Sequence, residues 1–295
     1  IATRDGKLHA ITETAIITPS AGPHGRIAPE APQAVPYGAD CTFTATPDSG
    51  YVVDRWLLDD AEAQVGGTQF TLHHVTANHT VRVTMAPRMV QPDLSLRTPA
   101  DPVYLGDNVY NTTGDGQSRW QSSAPGQAAT FVFHAQNDGN AAETFTITGP
   151  GSGGGWTVKY VNAATGADIT AQVTGAGYNT GPLAPGTYAW LSAQVKAGSG
   201  VIAGTSCTAA LTMTSMQDGT KRDTVKAVTT CLTTYQPDAK VRTLADSSYS
   251  GDNLYNTTGV NQTRTQACTP GQAATFVFHV QNDGNTADTF TITGP

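Results

Sequence analysis

The chain has little charge and few of the residues that favour helices. Charged residues make up 13% of its 295 residues, which is about half the usual share for a soluble protein. Lysine occurs six times and glutamate four times, and since both favour helices, their scarcity disfavours long helical segments. Threonine occurs 46 times, with 31 glycines and 17 prolines. This composition is typical of short strands joined by turns.

The lack of basic clusters and of long apolar runs disfavours nucleic acids and membranes as partners. The net charge is −7 and Lys and Arg form no cluster, whereas a nucleic-acid surface needs a basic patch. No apolar run approaches the roughly 20 residues that span a bilayer, and no signal peptide, tail anchor or lipidation motif is recognisable. We therefore expect no nucleic-acid partner and no membrane span in this segment.

Motifs of enzymes and cofactor sites are missing as well. The sequence has no Gly-x-Ser-x-Gly, His-Glu-x-x-His, phosphate loop or dinucleotide fingerprint, and its glutamates are too scattered for the acid pair of a glycosidase. No Cys or His spacing indicates zinc, and His73 and His74 would point to opposite faces of a strand, away from a shared ion with His79. We expect no catalytic residue, no metal site and no cofactor.

An internal repeat organises the rest of the chain. Residues 91–150 and 236–295 align without a gap at an offset of 145, with 42 identities in 60 positions. The first copy continues to about residue 234, whereas the second extends over about two fifths of a unit. Because Phe276, Phe278 and Phe290 would then face water, we expect the chain to continue, or a neighbouring chain to supply the missing strands.

Period-two alternation of apolar residues predicts strands within the first copy. Ala129, Phe131 and Phe133 alternate with polar residues, and so do Trp156 and Val158. Turn residues such as Asn-Asp-Gly-Asn and Leu-Ala-Pro-Gly separate these segments. Short strands at this spacing predict a β-sandwich.

A hairpin near the end of the first copy predicts a disulfide. If the hairpin is centred on Gly219, Cys207 lies opposite Cys231. Directly opposed residues are about 4.5–5.5 Å apart at Cα, within reach of a disulfide. We therefore predict a Cys207–Cys231 bond, which suits an extracellular compartment; the alternative is two buried thiols side by side. Cys41 is expected to be a buried thiol, and Cys268 to be free or to bridge to other sequence.

Two equivalent loops, residues 106–111 and 251–256, are the most suggestive of function. Asp107, Asn108, Asn111 and Asp115 carry oxygens of the kind that Ca²⁺ binds, but the spacing is not that of an EF-hand, and Val260 replaces Asp115 in the second copy. We favour ordered Asx-turn loops, or contacts to a neighbouring domain or chain. The candidate contact residues are Asp107, Asn108, Tyr110, Asn111, Asp252, Asn253, Tyr255 and Asn256.

Two features of the sequence suggest attachment or binding of sugars. Four Asn-x-Thr sequons are candidate glycosylation sites, although a threonine-rich chain carries several by chance; they begin at Asn78, Asn111, Asn256 and Asn261. The aromatic residues Trp120, Tyr104 and Tyr110 are candidates for stacking on a bound glycan. Since Trp120 is replaced by Thr265 in the second copy, we do not expect it in the core.

Residues 15–87 resemble a known family. The matching pattern consists of ITP at 17–19, GRI at 25–27, FTATPD at 43–48, GYVV at 50–53 and VTANHTV at 75–81. This segment resembles the divergent internalin-type B-repeat of bacterial surface proteins. The resemblance implies a small β-grasp-like spacer on a cell-surface chain.

Residues 91–233 resemble a second family. The pattern includes FVF at 131–133, NDGN at 137–140, WTV at 156–158, LAPG at 183–186 and DTV at 223–225. It is similar to the bacterial immunoglobulin-like repeats associated with adhesion. The resemblance implies tandem sandwiches on secreted and surface proteins, and it carries no active site onto this chain.

These observations predict an all-β chain of tandem immunoglobulin-like sandwiches preceded by a small β-grasp-like module. The expected parts are residues 1–14 as the end of an upstream element, 15–87 as the small module, 91–234 as a complete sandwich and 236–295 as an incomplete copy. We expect a structural or adhesive extracellular protein that forms a stalk, surface layer or filament with copies of itself or neighbouring domains. The alternatives are a glycan-binding accessory region of a large secreted enzyme and a segment of a phage or virus fibre.

Overall fold

A computed structural model of the chain describes residues 13–294, which divide into two compact units. Of the described residues, the first unit holds 13–90 and 139–142, and the second holds 91–138 and 143–294. With 49% strand and 2% helix, the structure confirms the predicted all-β class.

The first unit is built from two small sheets. One has the order β3-β1-β8-β5-β6, with β1 and β8 parallel, and the other has the order β2-β4-β7. No helix accompanies them in residues 13–90. The strands are β1 (Thr14–Ala21), β2 (Gly25–Ala28), β3 (Gln33–Pro36), β4 (Cys41–Pro47), β5 (Tyr51–Leu58), β6 (Ala61–Val65), β7 (Gln69–Leu72) and β8 (His79–Pro87).

The alternation of apolar and polar residues along the strands explains the core of this unit. Successive side chains of a strand point to opposite faces, so the apolar residues at every second position of β1 and β4 share one face. Ile17, Phe43 and Trp56 are fully buried there in a single cluster. The Trp56 indole N–H donates to the carbonyl oxygen of Gly67 at 3.0 Å, so its polar atom is satisfied as well.

The second unit begins with a two-sheet sandwich. One sheet has the order β10-β17-β16-β12-β14, and the other has the order β13-β15-β11-β9. The elements are β9 (Pro92–Arg97), β10 (Ser118–Ser123), β11 (Ala128–Asn137), β12 (Glu143–Thr148), β13 (Trp156–Asn162), a short helix α1 (Thr170–Thr174), β14 (Tyr178–Leu183), β15 (Tyr188–Ala197), β16 (Ser206–Ser215), β17 (Arg222–Cys231), β18 (Pro237–Thr243) and β19 (Phe276–Asn282).

The sandwich core comes from both sheets. Phe131 and Phe133 of β11 meet Phe145 and Ile147 of β12 in one cluster, and all four side chains are completely buried. Each fully buried side chain of this kind contributes about 1.5–3 kcal/mol relative to its exposed state. The alternating residues predicted to form strands are therefore those that hold the two sheets together.

The hairpin of β16 and β17 forms with a different register from the one predicted. Cys207 lies opposite Thr229, two positions from Cys231, because the turn closes around Asp218, whose backbone carbonyl accepts the N–H of Lys221 at 2.9 Å. Diagonal neighbours across a strand pair are about 7–8 Å apart, too far for a disulfide.

The predicted Cys207–Cys231 bond is therefore wrong. All four cysteines are free thiols. Cys231 is buried, Cys207 and Cys41 are partly buried, and Cys268 is exposed. Burial raises the pKa of the Cys207 and Cys41 thiols, which keeps both in the protonated, unreactive form.

The second copy repeats the pairing of the first. Ala239 of β18 lies opposite Val280 of β19, and the equivalent residues Leu94 of β9 and Ala135 of β11 are opposed in the same way. The offset of 145 residues found in the sequence is thus also an offset between equivalent strands.

Two further expectations concern the ends of the chain and membranes. The predicted upstream element at residues 1–14 lies outside the described residues except for Glu13 and Thr14, where β1 begins. Among residues 13–294, no helix has the length and apolar character that crossing a bilayer requires.

Candidate functional site

The loop at residues 106–117 is tied to the sandwich by one buried carboxylate. Asp223, at the start of β17, is completely buried. One of its oxygens accepts the N–H of Leu94 at 2.7 Å, and the other accepts the N–H of Asn111 at 3.0 Å and the side-chain amide of Gln117 at 2.9 Å. The facing sheet, through Leu94 of β9, and the middle and end of the loop, through Asn111 and Gln117, therefore meet at a single side chain.

A glycine allows this loop to lie close to the sheet. Gly106 has a φ of +101°, and a Cβ at this position would lie 2.5 Å from Oε1 of Gln117 and 2.9 Å from the carbonyl oxygen of Leu94. Only glycine adopts such a conformation freely and leaves that space open. Gly251 in the second copy has nearly the same φ, +103°.

Asn111 closes the far end of the loop as an Asx cap. Its Oδ1 accepts the N–H groups of Thr113, Gly114 and Asp115 at 3.1, 2.6 and 3.1 Å, and its Nδ2 donates to the carbonyl oxygen of Asp115 at 3.0 Å. Asn256 makes the equivalent bonds in the second copy, at 3.1 Å to both the Thr258 N–H and the Val260 carbonyl oxygen. The side-chain oxygen of Asn111 thus serves the loop itself, as expected of an Asx turn.

The rim of each loop is exposed but braced by a tyrosine. The Tyr110 hydroxyl donates to Asp138 at 2.8 Å, and the Tyr255 hydroxyl donates to Asp283 at 2.9 Å. Burial and the neighbouring carboxylate raise the pKa of Tyr110. Both tyrosines keep 43–49% of their surface exposed.

The residues predicted to make contacts stand on these two rims. Asp107, Asn108 and Tyr110 are exposed in the first loop, and Asp252, Asn253, Tyr255 and Asn256 are exposed in the second, whereas Asn111 is half-buried. Contact with a neighbouring domain or chain stays a prediction for these side chains.

Acidic side chains gather beneath the first loop. Asp93 of β9 is 1% exposed and accepts the N–H of Asn108 at 3.0 Å. Burial raises the pKa of Asp93 to about 7, and the nearby charges of Asp138, Asp223 and Asp107 act in the same direction. Burial likewise raises the pKa of Asp223, against the hydrogen bonds it accepts.

The second copy contains a cation at the corresponding place. Lys240 of β18 has a side chain only 10% exposed. Its ammonium donates to Asp252 and, at 2.9 Å, to Oε1 of Gln281, and it lies 3.7 Å from Asp238. These bonds, with the one to Asp252 foremost, raise the pKa of Lys240 and keep it charged.

Four aromatic rings stack on the outer face of the sheet that contains β11 and β15. His134 lies between Tyr104 and Tyr188, with centroids 3.7 and 4.1 Å away, and Trp190 lies 6.0 Å from His134. The Trp190 indole N–H donates to Nε2 of His134 at 2.5 Å. Burial in this stack, together with the charge of Arg97, lowers the pKa of His134, so the ring is held neutral.

A groove adjoins the stack. It has a volume of about 380 Å³ and is lined by Tyr178, Leu183, Tyr188, Trp190 and Asn162, among others. Trp190 is 47% exposed. Of these rings, only Tyr104 was among the glycan-stacking candidates predicted from the sequence. Tyr188 and Trp190 alternate as strand residues do, but alternation does not indicate which face of a sheet stays uncovered. Trp120, which the sequence placed outside the core, is 66% exposed on β10.

A turn of the second copy, at residues 282–285, forms hydrogen bonds to the linker at residues 232–236 that precedes this copy. Asn285 accepts the N–H of Thr234 on its Oδ1 at 2.7 Å and donates from Nδ2 to the carbonyl oxygen of Leu232 at 2.8 Å. The backbone N–H of Asn285 donates to Thr234 at 3.1 Å, and that of Asp283 donates to Gln236 at 2.8 Å. We call this set of bonds the linker clamp.

The same clamp occurs at the equivalent asparagine of the first copy. Asn140 accepts the N–H of Met89 at 2.7 Å and donates to the carbonyl oxygen of Pro87 at 2.9 Å. Its backbone N–H donates to Met89 at 3.2 Å. The Asn-Asp-Gly-Asn segment was predicted only as a turn. Its complete identity in both copies was the signal in the sequence for a further role.

Other predicted site residues are dispersed. His73 bonds to Asp40 at 2.7 Å and His79 bonds to Asp59 at 2.6 Å, so these rings serve different carboxylates. Among the described residues, no three His, Cys, Asp or Glu side chains are grouped as a metal site would require. Of the sequons, Asn78 accepts the N–H of Ile16 at 2.7 Å, and glycosylation at all four positions stays a prediction.

Comparison with known proteins gives a family match for a segment of the first unit. Residues 16–87 match the model of a family described as the divergent InlB B-repeat domain, which confirms the resemblance stated for that segment. The resemblance of residues 91–233 to adhesion-associated repeats stays a prediction. No curated protein matches the chain.

Several solved structures show a distant likeness. BcpA, the major pilin subunit of Bacillus cereus, has 8% identity and a TM-score of 0.26, and the match covers 90% of this chain and 84% of that one. A variant of the same pilin has 8% identity, a TM-score of 0.30 and coverages of 92% and 84%. The extracellular cadherin domains 1–4 of protocadherin gamma B7 have 10% identity, a TM-score of 0.25 and coverages of 93% and 61%. TM-scores this low transfer no function.

Proposed function

We propose that this chain is a length of a structural array outside the cell, in which successive β-domains form a stalk, surface layer or filament. The observation that carries the proposal is the linker clamp, which recurs at Asn140 and Asn285 with the same set of bonds. A linker held by hydrogen bonds at each domain entrance resists bending, which is the mechanical property that such an array needs.

Two further features support a mechanical role. The B-repeat match at residues 16–87 and the two-sheet sandwich that follows in the sequence support a chain in which β-domains are joined in series. The rims of the loops at residues 106–111 and 251–256 are nearly identical and recur at a fixed interval, so an array would offer the same lateral contact at each repeat.

Rigidity across the second linker tests the proposal. In the wild type, ¹⁵N relaxation should report one rotational correlation time for amides of β15–β17 and of β18–β19. Asn285→Ala should give the β18–β19 amides a shorter correlation time, while Gln272→Ala, at an exposed position of the same copy, should leave both values equal. Independent tumbling of the two copies in the wild type would refute a held linker.

The aromatic stack favours a second candidate function, which is glycan binding. Tyr188 and Trp190 border a groove that also presents the amide of Asn162, and proteins bind sugars with such combinations of aromatic surface and polar groups. Glycan-array binding that is lost in Trp190→Ala and kept in Trp120→Ala would support it. An absence of binding, with regular polymers seen by electron microscopy, would favour the structural role alone.

A further inference from the structure

Strand β10 is paired on one side only. It lies at the edge of its sheet and runs parallel to β17. The N–H of Lys226 donates to the carbonyl oxygen of Gln117 at 2.9 Å, and the N–H of Leu232 donates to that of Ser123 at 2.9 Å, so the odd-numbered residues of β10 direct their backbone groups towards β17. Since neighbouring residues of a strand direct their N–H and C=O groups to opposite sides, the even-numbered residues direct theirs away from the sheet. These residues are Ser118, Trp120 and Ser122.

The other three edge strands of the sandwich, β9, β13 and β14, are protected by the chain itself. On the free side of β13, the N–H of Tyr160 donates to Oγ1 of Thr170 at 2.9 Å. On β9, Leu96 exchanges two backbone bonds with Leu105, at 2.9 and 2.8 Å. β14 contains Pro182, which lacks an N–H, and its register to β12 shifts. Proline, irregular pairing and a covering segment are means by which proteins prevent edge strands from pairing with other chains.

No such protection is found on β10 in the part of the chain that the structure describes. Its pairing with β17 is continuous from Ser118 to Ser123, and its outward backbone groups have no hydrogen-bond partner among residues 13–294. Trp120, near its centre, is 66% exposed, and its one charged side chain, Arg119, forms an ion pair with Asp101 at 3.2 Å. β10 therefore offers a regular, uncovered row of donors and acceptors, which another extended backbone matches.

The sequence of β10 fits a second copy of the same strand. When two such strands run antiparallel about Trp120, Ser118 lies opposite Ser122, and each opposed pair exchanges two N–H···O=C bonds. Arg119 lies opposite Gln121, so no like charges meet. Opposed side chains share one face of a sheet, so the two indole rings lie side by side, and aromatic pairs of this kind stabilise strand pairing. The strand thus provides both halves of its own interface.

We propose that two chains associate through their β10 strands, which pair antiparallel about a two-fold axis at Trp120 and join two five-stranded sheets into one. Such a contact is isologous and closes in a dimer. It is made by one six-residue strand from each chain and is smaller than the standard interface of about 1,600 Å², so association of single chains is weak.

This inference rests on the proposed function for its use, since the β10 contact would join neighbouring arrays side by side, where many weak contacts act together. Its test measures association between chains, whereas the relaxation test measures the stiffness of the linker within one chain. Either can fail without the other.

A matched pair of substitutions at Ser122 tests the backbone pairing. Ser122 is exposed and its N–H points away from β17, so proline there removes one outward donor and blocks the opposed strand without removing a bond of the sheet. Sedimentation velocity of the full chain from about 10 µM to 1 mM should show a monomer–dimer equilibrium for the wild type and for Ser122→Ala. Ser122→Pro should lower the association constant by about tenfold or more.

Substitutions at Trp120 test the register and the two-fold axis. Trp120→Lys places two ammonium groups opposite each other, and Trp120→Glu does the same with two carboxylates, so each variant alone should associate less than the wild type. An equimolar mixture of the two variants places opposite charges across the axis and should associate more strongly than either variant alone.

Amide hydrogen exchange identifies the strand that pairs. In the wild type, the Trp120 and Ser122 amides should exchange more slowly as the protein concentration rises. The Arg119 and Gln121 amides, which face β17, should exchange at a rate that does not depend on concentration.

Three outcomes would overturn the proposal. The first is a wild type that stays monomeric over this range, which would leave the edge open to a strand of another protein. The second is a folded Ser122→Pro that dimerises as Ser122→Ala does, and the third is a mixture of the charged variants that associates no better than its components. If Ser122→Pro does not fold, the mixture decides.

Discussion

The linker clamp makes a quantitative prediction for proteolysis of the second linker. Tyr235, between Thr234 and Gln236, is 64% exposed and is a residue after which chymotrypsin cleaves. The protease needs an extended, released backbone, but the neighbouring backbone groups are bonded to Asn285. Asn285→Ala should therefore increase cleavage at this position.

The size of the increase follows from the bonds that are lost. The substitution removes the bond from the Thr234 N–H at 2.7 Å and the bond to the Leu232 carbonyl oxygen at 2.8 Å, while the backbone bonds of Asn285 and Asp283 to the linker remain. A hydrogen bond contributes about 0.5–1.5 kcal/mol net, so local opening becomes more favourable by about 1–3 kcal/mol. When reclosing is faster than cleavage, the rate follows the open population, and this corresponds to an increase of about 5- to 150-fold.

The assay is a time course with chymotrypsin under native conditions, with cleavage sites identified by mass spectrometry. Asn140→Ala is the matched control, because it removes the equivalent side chain from the other copy and should leave cleavage after Tyr235 unchanged. Cleavage of Asn285→Ala within twofold of the wild-type rate would show that the linker is not held by this side chain.

Three further predictions concern other parts of the structure. Burial and the charge of Arg97 lower the pKa of His134, so the stability that the neutral ring provides is present above the ordinary histidine pKa of about 6.5 and is lost as the pH falls through the lower folded value. The free energy of unfolding in urea, measured between pH 7.5 and 5.5, should therefore depend less on pH in His134→Gln than in the wild type, and an equal dependence would contradict this. Asp223→Ala leaves several buried or half-buried N–H donors without their acceptor. Chemical denaturation should therefore show a free energy of unfolding that is lower by about 3 kcal/mol or more, and a loss below about 1 kcal/mol would refute the anchoring role. A Cβ at Gly284 would lie 2.5 Å from the Thr234 carbonyl oxygen, so Gly284→Ala should sensitise the second linker to chymotrypsin, whereas Gly219→Ala, where a Cβ meets nothing within 4 Å, should not.

Period-two patterns made the strands and the core readable from the sequence. Phe131 and Phe133 alternate with polar residues, and the structure buries both completely. The Asx turns of the loops could also be predicted, since Asn111 and the Thr-Thr-Gly that follows it contain both the capping oxygen and the N–H groups that donate to it. Features of this kind depend on neighbours in the sequence, which is why composition and spacing were sufficient.

Features that depend on contacts between residues distant in the sequence could not be predicted from the sequence. The register of β16 and β17 is set by which residue closes the turn, and a shift of two positions keeps every side chain on its predicted face. Alternation therefore could not distinguish the predicted pairing of Cys207 with Cys231 from the observed pairing with Thr229. Asp223 anchors Asn111 across 112 positions of sequence, and no local pattern indicates such a contact.

The linker clamp also explains a contrast between conserved and varied parts of the two copies. The bonds that define the clamp reach the linkers through backbone N–H and C=O groups, so they do not depend on the side chains of Pro87, Met89, Leu232 and Thr234. The linkers do differ, with Pro87 and Met89 before the first copy and Leu232 and Thr234 before the second, whereas the Asn-Asp-Gly-Asn turn is the same in both. Each turn follows a strand of its copy, β11 or β19, and bonds to the chain segment that precedes that copy in the sequence. Since the bonded groups of the linker are backbone groups, the same turn accommodates Pro87 and Met89 in one place and Leu232 and Thr234 in the other.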